Sequence, residues 1–389
     1  MGWKSNRPDL TSNIKQAVIF YLTVNEAPSG IFSSQVIDVV KFINSNFETK
    51  ARLLAFISLR GYLLNRKKIK LELPDAIVLP MYPKMQNWNG NTLLLNLFYL
   101  LYKPSTIIAR SVIATKLALK LKDKAKIVYD GRGAIEAEWK EYKVVTDEML
   151  LSKIHAYEKD VILNSDGRIA VSNELIKFWK GTYSYTHSKH VVIPCTINND
   201  FEKIKISEEI VLNKRKQLGL TQADTVFVYS GTVAGWQSFE MLFSFMEPLL
   251  KNENNKLVFF SPQDPNIEKI KKLFPQQVIH KHLNSNLVSH YLLVGDYGLL
   301  IRENSITNKV ASPVKYAEYL ASGLKVIISK DLGDYTQQSQ EKNWGVIFNE
   351  FNNSVTKPDL LEKQKISAEA IHFFSKRNYK DQYQQVIAI

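Results

Sequence analysis

The stretch from Tyr297 to Ser329, YGLLIRENSITNKVASPVKYAEYLASGLKVIIS, concentrates residue types that could handle an anion. Ser312 can cap a helix and Pro313 suits its first turn. Amides at a helix start lack partners within the helix, and together they favour a phosphate. Lys315 brings a positive charge to the positive end of the helix dipole, which makes sense if an anion sits there. Glu318 follows three residues later on roughly the same face. Read alone, Glu318 is either the salt-bridge partner of Lys315 or a carboxylate for a ligand hydroxyl. Lys315 is either a solvated lysine or a phosphate neighbour. Gly323 stops the helix.

Other stretches offer related chemistry. YSGTVAGWQSF (Tyr229 to Phe239) runs from a strand into Gly231 and Gly235 and then a helix. Amides at such a turn suit a diphosphate, although the spacing matches neither a dinucleotide fingerprint nor a Walker motif, and a plain turn reads equally well. APSGIFSSQ places Gly30 after the first strand, where a ligand approaches in an α/β sheet. In YDGRGAIEAEW, Arg132 between two glycines offers a fork for phosphate or carboxylate. Glu136 and Glu138 are two apart, so they share no helix face and form no acid–base pair. Arg110 is either a surface helix residue or a cleft residue. The seven histidines include His280 and His282 but no H-E-x-x-H, and there is no D-x-D or G-x-S-x-G. A metal centre or a hydrolase triad is therefore not expected.

The elements that must position these residues alternate. In the first half QAVIFYLTV, AIVLP, AKIVYD, RIAVS and HVVIP read as strands. In the second half TVFVYSG, KLVFFSP, QVIHK, YGLLIR, LKVIIS and GVIFN do so. Helical patterns lie between them, including Phe32–Phe42 and two basic amphipathic helices expected over Ala51–Lys68 and Ile107–Lys122. This alternation implies α/β architecture with parallel sheets, in two Rossmann-like domains. Turn-forming residues cluster at IPCTINNDFEK, which sets the border near residues 193–203.

Bulk properties agree. A chain of 389 residues is too long for one ordinary core. One cysteine, Cys195, leaves no intramolecular disulfide and no cysteine-built metal site. MGWKSNRPDL does not read as a signal peptide, and the longest apolar run, Leu93–Tyr102, is half the length of a spanning helix. The net charge is +13, and residues 1–190 hold 28 Lys/Arg against 17 Asp/Glu. That asymmetry suggests an anionic partner: nucleic acid, a membrane surface or a phosphorylated substrate.

Taken together, these blocks resemble the two-domain GT-B glycosyltransferases, particularly bacterial members of glycosyltransferase family four. PVKYAEYLASGLKVIIS resembles the donor-binding signature, and VVIPCTINNDF the segment between domains. YDGRGAIEAEW is similar to an Asp-x-Arg-Gly-x-x-x-x-Glu element near the cleft. The resemblance implies an acceptor domain over residues 1–195, a nucleotide-sugar domain over 196–366, and a helix over 367–389 that packs back on the first domain. Glu318 would hold the ribose hydroxyls, Gly231 and Thr232 would line the diphosphate, and Arg302 and Lys315 would supply charge beside it. His282, Ser312 and Pro313 join this donor set. Gly30, Arg110, Asp130, Arg132 and Glu138 would face the cleft on the acceptor side. Val310 departs from the pattern, since the family often has an acidic residue there. Glu303 is the candidate replacement. VAGWQ after the 231 glycine also lacks the family's Arg and Lys.

The resemblance implies metal-independent transfer with retention, from a nucleotide-diphosphate sugar with UDP favoured and no tightly bound cofactor. The acceptor would be a glycan or lipid-linked, in cell-surface polysaccharide synthesis. The expected location is the cytoplasm, with peripheral binding to the inner membrane face through the basic N-terminal half. The rivals are a sugar-nucleotide epimerase of the same architecture, a basic protein that binds nucleic acid or membrane without catalysis, and an inactive scaffold.

Overall fold

The protein was analysed as a computed structural model, which describes residues 17–232, 238–351 and 356–388. Seven strands form the first sheet: β1 (Ala17–Val24), β2 (Lys50–Ile57), β3 (Ile77–Pro80), β4 (Thr106–Arg110), β5 (Lys126–Gly131), β6 (Gly167–Ala170) and β7 (His190–Val192). Six form the second: β8 (Thr225–Ser230), β9 (Asn255–Phe260), β10 (Val278–His280), β11 (Tyr297–Leu300), β12 (Lys325–Ile328) and β13 (Gly345–Ile347). All described pairings are parallel, in the orders 3-2-1-4-5-6-7 and 10-9-8-11-12-13. These are two Rossmann-like halves, each covered by helices on both faces. The strand order reverses between β1 and β4 and between β8 and β11. Crevices open at such switch points, beyond the carboxyl ends of the strands.

Two expected helices are corrected. Residues 50–57 form β2 and only Tyr62–Glu72 is helical, with Gly61 at φ +72° between them. Residues 106–110 form β4, followed by a helix over Ser111–Ala118. Both strands lie inside the sheet, and a strand buried on two faces reads as one apolar run, which a helix period also fits. Arg52, counted as part of a basic helix face, lies on β2 with its guanidinium 4.9 Å from the centre of the Tyr102 ring. The expected membrane-facing helices over Ala51–Lys68 and Ile107–Lys122 therefore do not exist in that form.

The two halves are joined by reciprocal contacts. Asp334 accepts from the amides of Asn173 (2.8 Å) and Glu174 (3.1 Å), and so caps the Asn173–Tyr183 helix from the other side. Glu141 accepts from the amides of Ile306 (3.0 Å) and Thr307 (3.1 Å), and caps the Ile306–Lys309 helix in return. Ser172 Oγ donates to the carbonyl of Val310 at 2.7 Å. Near the end of the chain, Tyr383 lies 5.3 Å from Phe42, ring to ring, within the core under the first sheet.

A charged knot sits at the base of the second sheet. Asp296 accepts from Arg215 (2.8 Å), Lys363 (2.9 Å) and the amide of Val226 (2.9 Å), and all three side chains are buried. Burial alone would raise the Asp296 pKa, but Lys363 and Arg215 hold it below the usual carboxylate range. Asp296→Ala leaves two buried cations unpaired and should cost about 3–5 kcal/mol. Chemical denaturation measures this, and an unchanged midpoint would rule out a structural role for the knot.

Candidate functional site

Glycine at position 298 sets the geometry. A Cβ there would lie 2.3 Å from Cδ2 of Tyr319, so only glycine lets the Val314–Ala321 helix rest directly on β11. Tyr319 reaches past β11, and its Oη accepts the amide of Ser230 at 2.9 Å, at the end of β8. The helix start is thereby held over the switch point. Pro313, not Ser312, occupies the N-cap position, and no side chain caps the helix. The Ser312 hydroxyl is engaged elsewhere: it accepts the amide of Cys195 at 2.8 Å and pairs with Tyr335 Oη at 2.6 Å.

Lys315 extends from this helix across Gly231. A Cβ on Gly231, whose φ is +121°, would meet Lys315 Cε at 2.6 Å and Nζ at 3.0 Å. Nζ donates to Tyr229 Oη at 2.8 Å and lies 4.0 Å from the centre of that ring. Tyr229 Oη donates onward to the Thr232 carbonyl at 2.7 Å. The Gly231 amide is already bonded to the Phe260 carbonyl at 2.9 Å, so it is not a free phosphate donor. The remainder of that loop, including Gly235 and the VAGWQ segment, lies outside the described residues.

Arg302 follows β11 and is buried. Its amide bonds Ser329 Oγ at 2.7 Å, and one guanidinium nitrogen donates to Asn308 Oδ1 at 3.3 Å. Its Nε has no partner, and among the described residues no carboxylate pairs with it. Burial pushes its pKa down to about 10, with three tyrosines, Tyr229, Tyr142 and Tyr319, pulling weakly the other way. Burial also pushes Lys315 well below the ordinary lysine value, and the charge of Arg302 adds to that. A buried arginine and a half-buried lysine thus lie in one another's field, an arrangement that an entering anion would relieve.

Glu318 does not pair with Lys315. Its carboxylate is half-buried and makes no hydrogen bond to the described residues. Burial raises its pKa to about 7, against the attraction of Lys315. Glu303 is exposed, with its amide on Ser238 Oγ at 2.8 Å and its carboxylate hydrogen-bonded to Tyr142. Thr232 and His282 are exposed, the latter just before the Ser285–Leu292 helix. Gly30 meets the start of that helix from the opposite half, since a Cβ there would lie 3.9 Å from Ser285 Cβ.

The residues expected on the acceptor side divide. Arg110 is not on a helix surface but buried at the end of β4, where the register sets it beside Asp130. It pairs with Glu26 at 2.9 Å and Asp130 at 3.6 Å. Asp130 also accepts from Tyr21 at 2.5 Å and from Arg132 at 3.3 Å. Arg132 continues to Gln35 Oε1 (3.2 Å) and Cys195 Sγ (3.0 Å). Glu138 stands apart. It is half-buried and unpaired among the described residues, and burial raises its pKa.

Several positions at the candidate site escaped the sequence reading. Tyr229, Asn308 and Tyr142 line or support the cation pair, and Glu158 supports Glu138. Glu158 is fully buried and accepts the amides of Ile135 (2.9 Å) and Glu136 (2.8 Å), which caps the short Ile135–Glu141 helix. A glutamate inside a long helical pattern carries no signal of this. Val310 is explained too: it is buried in the core of the first half, so it serves the joint between halves and not a sugar.

Solved structures share this architecture. HepE from Anabaena in complex with UDP is similar over 95% of this chain and 99% of its own, at TM-score 0.66 and 12% identity. A glycosyltransferase from Rickettsia africae matches 96% of this chain and 99% of its own, at TM-score 0.66 and 14% identity. UDP-GlcNAc 2-epimerase from Neisseria meningitidis, bound to UDP-GlcNAc, matches 95% and 94%, at TM-score 0.53 and 15% identity. At such identities the likeness shows the fold, which is of the GT-B type. No protein-family model and no curated protein matches the chain.

The Glu318 shift has a consequence for stability. Its folded pKa of about 7 exceeds the ordinary 4.5, so between those values the native state binds the extra proton. Native stability contributed by this group is full below pH 4.5 and is lost as pH rises through about 7. Glu318→Gln should therefore flatten the fall in thermal midpoint across that window and raise the midpoint at pH 8. A variant that falls in parallel with the wild type would contradict the shift.

Proposed function

We propose that the protein is a glycosyltransferase that takes a sugar from a nucleotide-diphosphate donor, with UDP favoured. The observation that carries this reading is the buried Arg302 guanidinium, which has no carboxylate partner among the described residues and lies in the same field as Lys315. An entering diphosphate would neutralise that field. The uncapped start of the Val314–Ala321 helix adds its amides on the same side. Glu318, unpaired and accessible, suits the ribose hydroxyls. Cleavage at the anomeric carbon leaves a diphosphate, and preformed cations favour that departure.

The acceptor reading follows from the same division. Arg110, Asp130 and Arg132 are bound to one another, so they act as scaffold for the cleft. Glu138 is the acceptor-side group left with capacity to accept a hydroxyl proton contact. Metal-independent transfer, retention of configuration, and a place in cell-surface polysaccharide synthesis rest on the family resemblance. The division into residues 1–195, 196–366 and 367–389 rests on it as well. The epimerase alternative is favoured by the likeness to the N. meningitidis enzyme, although the TM-scores of 0.66 for HepE and the R. africae transferase exceed its 0.53.

Calorimetric titration with UDP, GDP and uridine tests the site. Arg302→Gln should weaken UDP binding roughly ten- to a hundredfold, since a charge-assisted hydrogen bond is lost, and leave uridine unchanged. Equal UDP affinity in that variant would remove Arg302 from the site. With donor sugars, nucleotide release that depends on an acceptor marks a transferase, whereas a changed sugar with no free nucleotide marks an epimerase.

A further inference from the structure

A cavity of about 350 Å³ lies in the joint between the halves. Its walls come from three parts of the chain. Val171 and Pro194, just past β6 and β7, belong to the first half. Gln338, on the Tyr335–Glu341 helix, belongs to the second. Gln382 sits on the last helix, Lys380–Ile387. That helix packs under the first sheet through Tyr383 and Val386, so Gln382 is fixed to the first half. The volume falls within the roughly 300–1,000 Å³ of small-ligand sites, and a boundary between domains is where such sites form. Gly231, Arg302, Lys315 and Glu318 do not line this cavity, so it is distinct from the proposed nucleotide site.

Two polar atoms in its wall lack partners. Gln338 Oε1 and Gln382 Oε1 are both buried, and neither accepts a hydrogen bond from the described residues. Buried polar atoms are nearly always paired, so two orphans in one cavity, from opposite sides of a joint, require a reason. Each destabilises the free protein as it stands. An occupant that donates to both would remove that cost.

The lining specifies the occupant. Among the described residues it contains no Lys, Arg or His, so nothing there compensates an anion. Its one charged group, Asp334, is already engaged by the amides of Asn173 and Glu174 and by Asn173 Nδ2 at 2.9 Å, so it does not call for a cation. A side-chain amide both donates and accepts, as a hydroxyl does, whereas an ammonium group only donates. Phe373 and Tyr379 add apolar ring surface, which suits the C–H face of a sugar ring.

We propose that this joint cavity binds a neutral polyhydroxy ligand the size of a monosaccharide, with hydroxyls on Gln338 and Gln382. Such a ligand bridges the halves and holds them joined. The joint also sets Asn308, through Tyr142, and Asn308 receives the Arg302 guanidinium. An occupied cavity therefore favours UDP binding. That consequence rests on the proposed nucleotide site, and the cavity itself does not.

Titration calorimetry of the full chain with glucose, galactose, mannose and N-acetylglucosamine tests the cavity, with ethanolamine and inorganic phosphate for comparison. At least one sugar is expected to bind. Gln338→Met/Gln382→Met should weaken it at least about tenfold, since two hydrogen bonds are lost. The same variant has a readout that needs no ligand. Methionine keeps the side-chain length and removes both orphan oxygens, so the thermal midpoint of the free protein should rise by about 2 °C. The proposal is overturned if no sugar binds, if ethanolamine or phosphate binds in place of the sugars, or if sugar affinity survives in the variant. A lower midpoint in the variant would show that ordered water already satisfies both oxygens, and would overturn it too. Saturating sugar should tighten UDP binding several-fold in the wild type, and UDP should tighten the sugar by the same factor. Unchanged UDP affinity would overturn the coupling. Sugar binding without any UDP binding would remove the transferase reading and leave the cavity site intact.

Discussion

The absence of a side chain at Gly298 is the constraint on which the nucleotide side depends. Because Tyr319 can lie at van der Waals distance on β11, the Val314–Ala321 helix is pinned to two strands at once, through the β11 backbone and the Ser230 amide. The helix start is then fixed over the crevice between β8 and β11. Lys315 must cross Gly231, where again no side chain fits. Gly298 on β11 and Gly231 just past β8 thus place one ammonium group. A Cβ at Gly231 would move that ammonium, and one at Gly298 would lift Tyr319 and its helix off β11.

The two sides of the cleft handle their cations in opposite ways. On the first side Arg110 and Arg132 bracket Asp130, with Glu26 outside, so charge is balanced inside the protein. Such a lattice is rigid but has no appetite for a ligand. On the second side Arg302 is buried and Lys315 half-buried, and Glu318 attracts Lys315 by its charge. The depressed pKa values of both cations and the raised value of Glu318 share one main cause, burial, which disfavours the charged form of each. This is the side on which the proposed diphosphate is placed.

Much of this was legible in the sequence, and the failures have physical causes. The strands of the second half and the helix stop at Gly323 follow from local patterns of turn residues and apolar runs; the helix start singled out Lys315 and Glu318, and Arg302 entered through the family resemblance alone. Glu318 could not be separated from a salt bridge by spacing alone, because a lysine three residues away satisfies the same rule whether or not it turns aside to Tyr229. The β2 and β4 segments were misread because strands buried on both faces lose the alternation that identifies a strand. Ser312, the obvious cap, was taken by a contact from Cys195 more than a hundred residues distant. Glu158 and Asn308 act through tertiary contacts that leave no mark on their neighbours in sequence.

The joint between the halves is part of the site. Tyr142 of the first half bonds Asn308 Nδ2 at 2.9 Å, and Asn308 Oδ1 receives the Arg302 guanidinium at 3.3 Å. Glu141, the residue before Tyr142, caps the short helix that holds Asn308. Among the described residues, the only hydrogen bond of the Arg302 guanidinium is therefore set by an element of the opposite half. Val310, packed into the core of that half, closes the same corner with apolar contact where an acidic side chain would stay wet. Separation of the halves would withdraw the Tyr142 and Glu141 contacts together and loosen Asn308. The orientation of the Arg302 guanidinium is thus tied to the contact between the two halves.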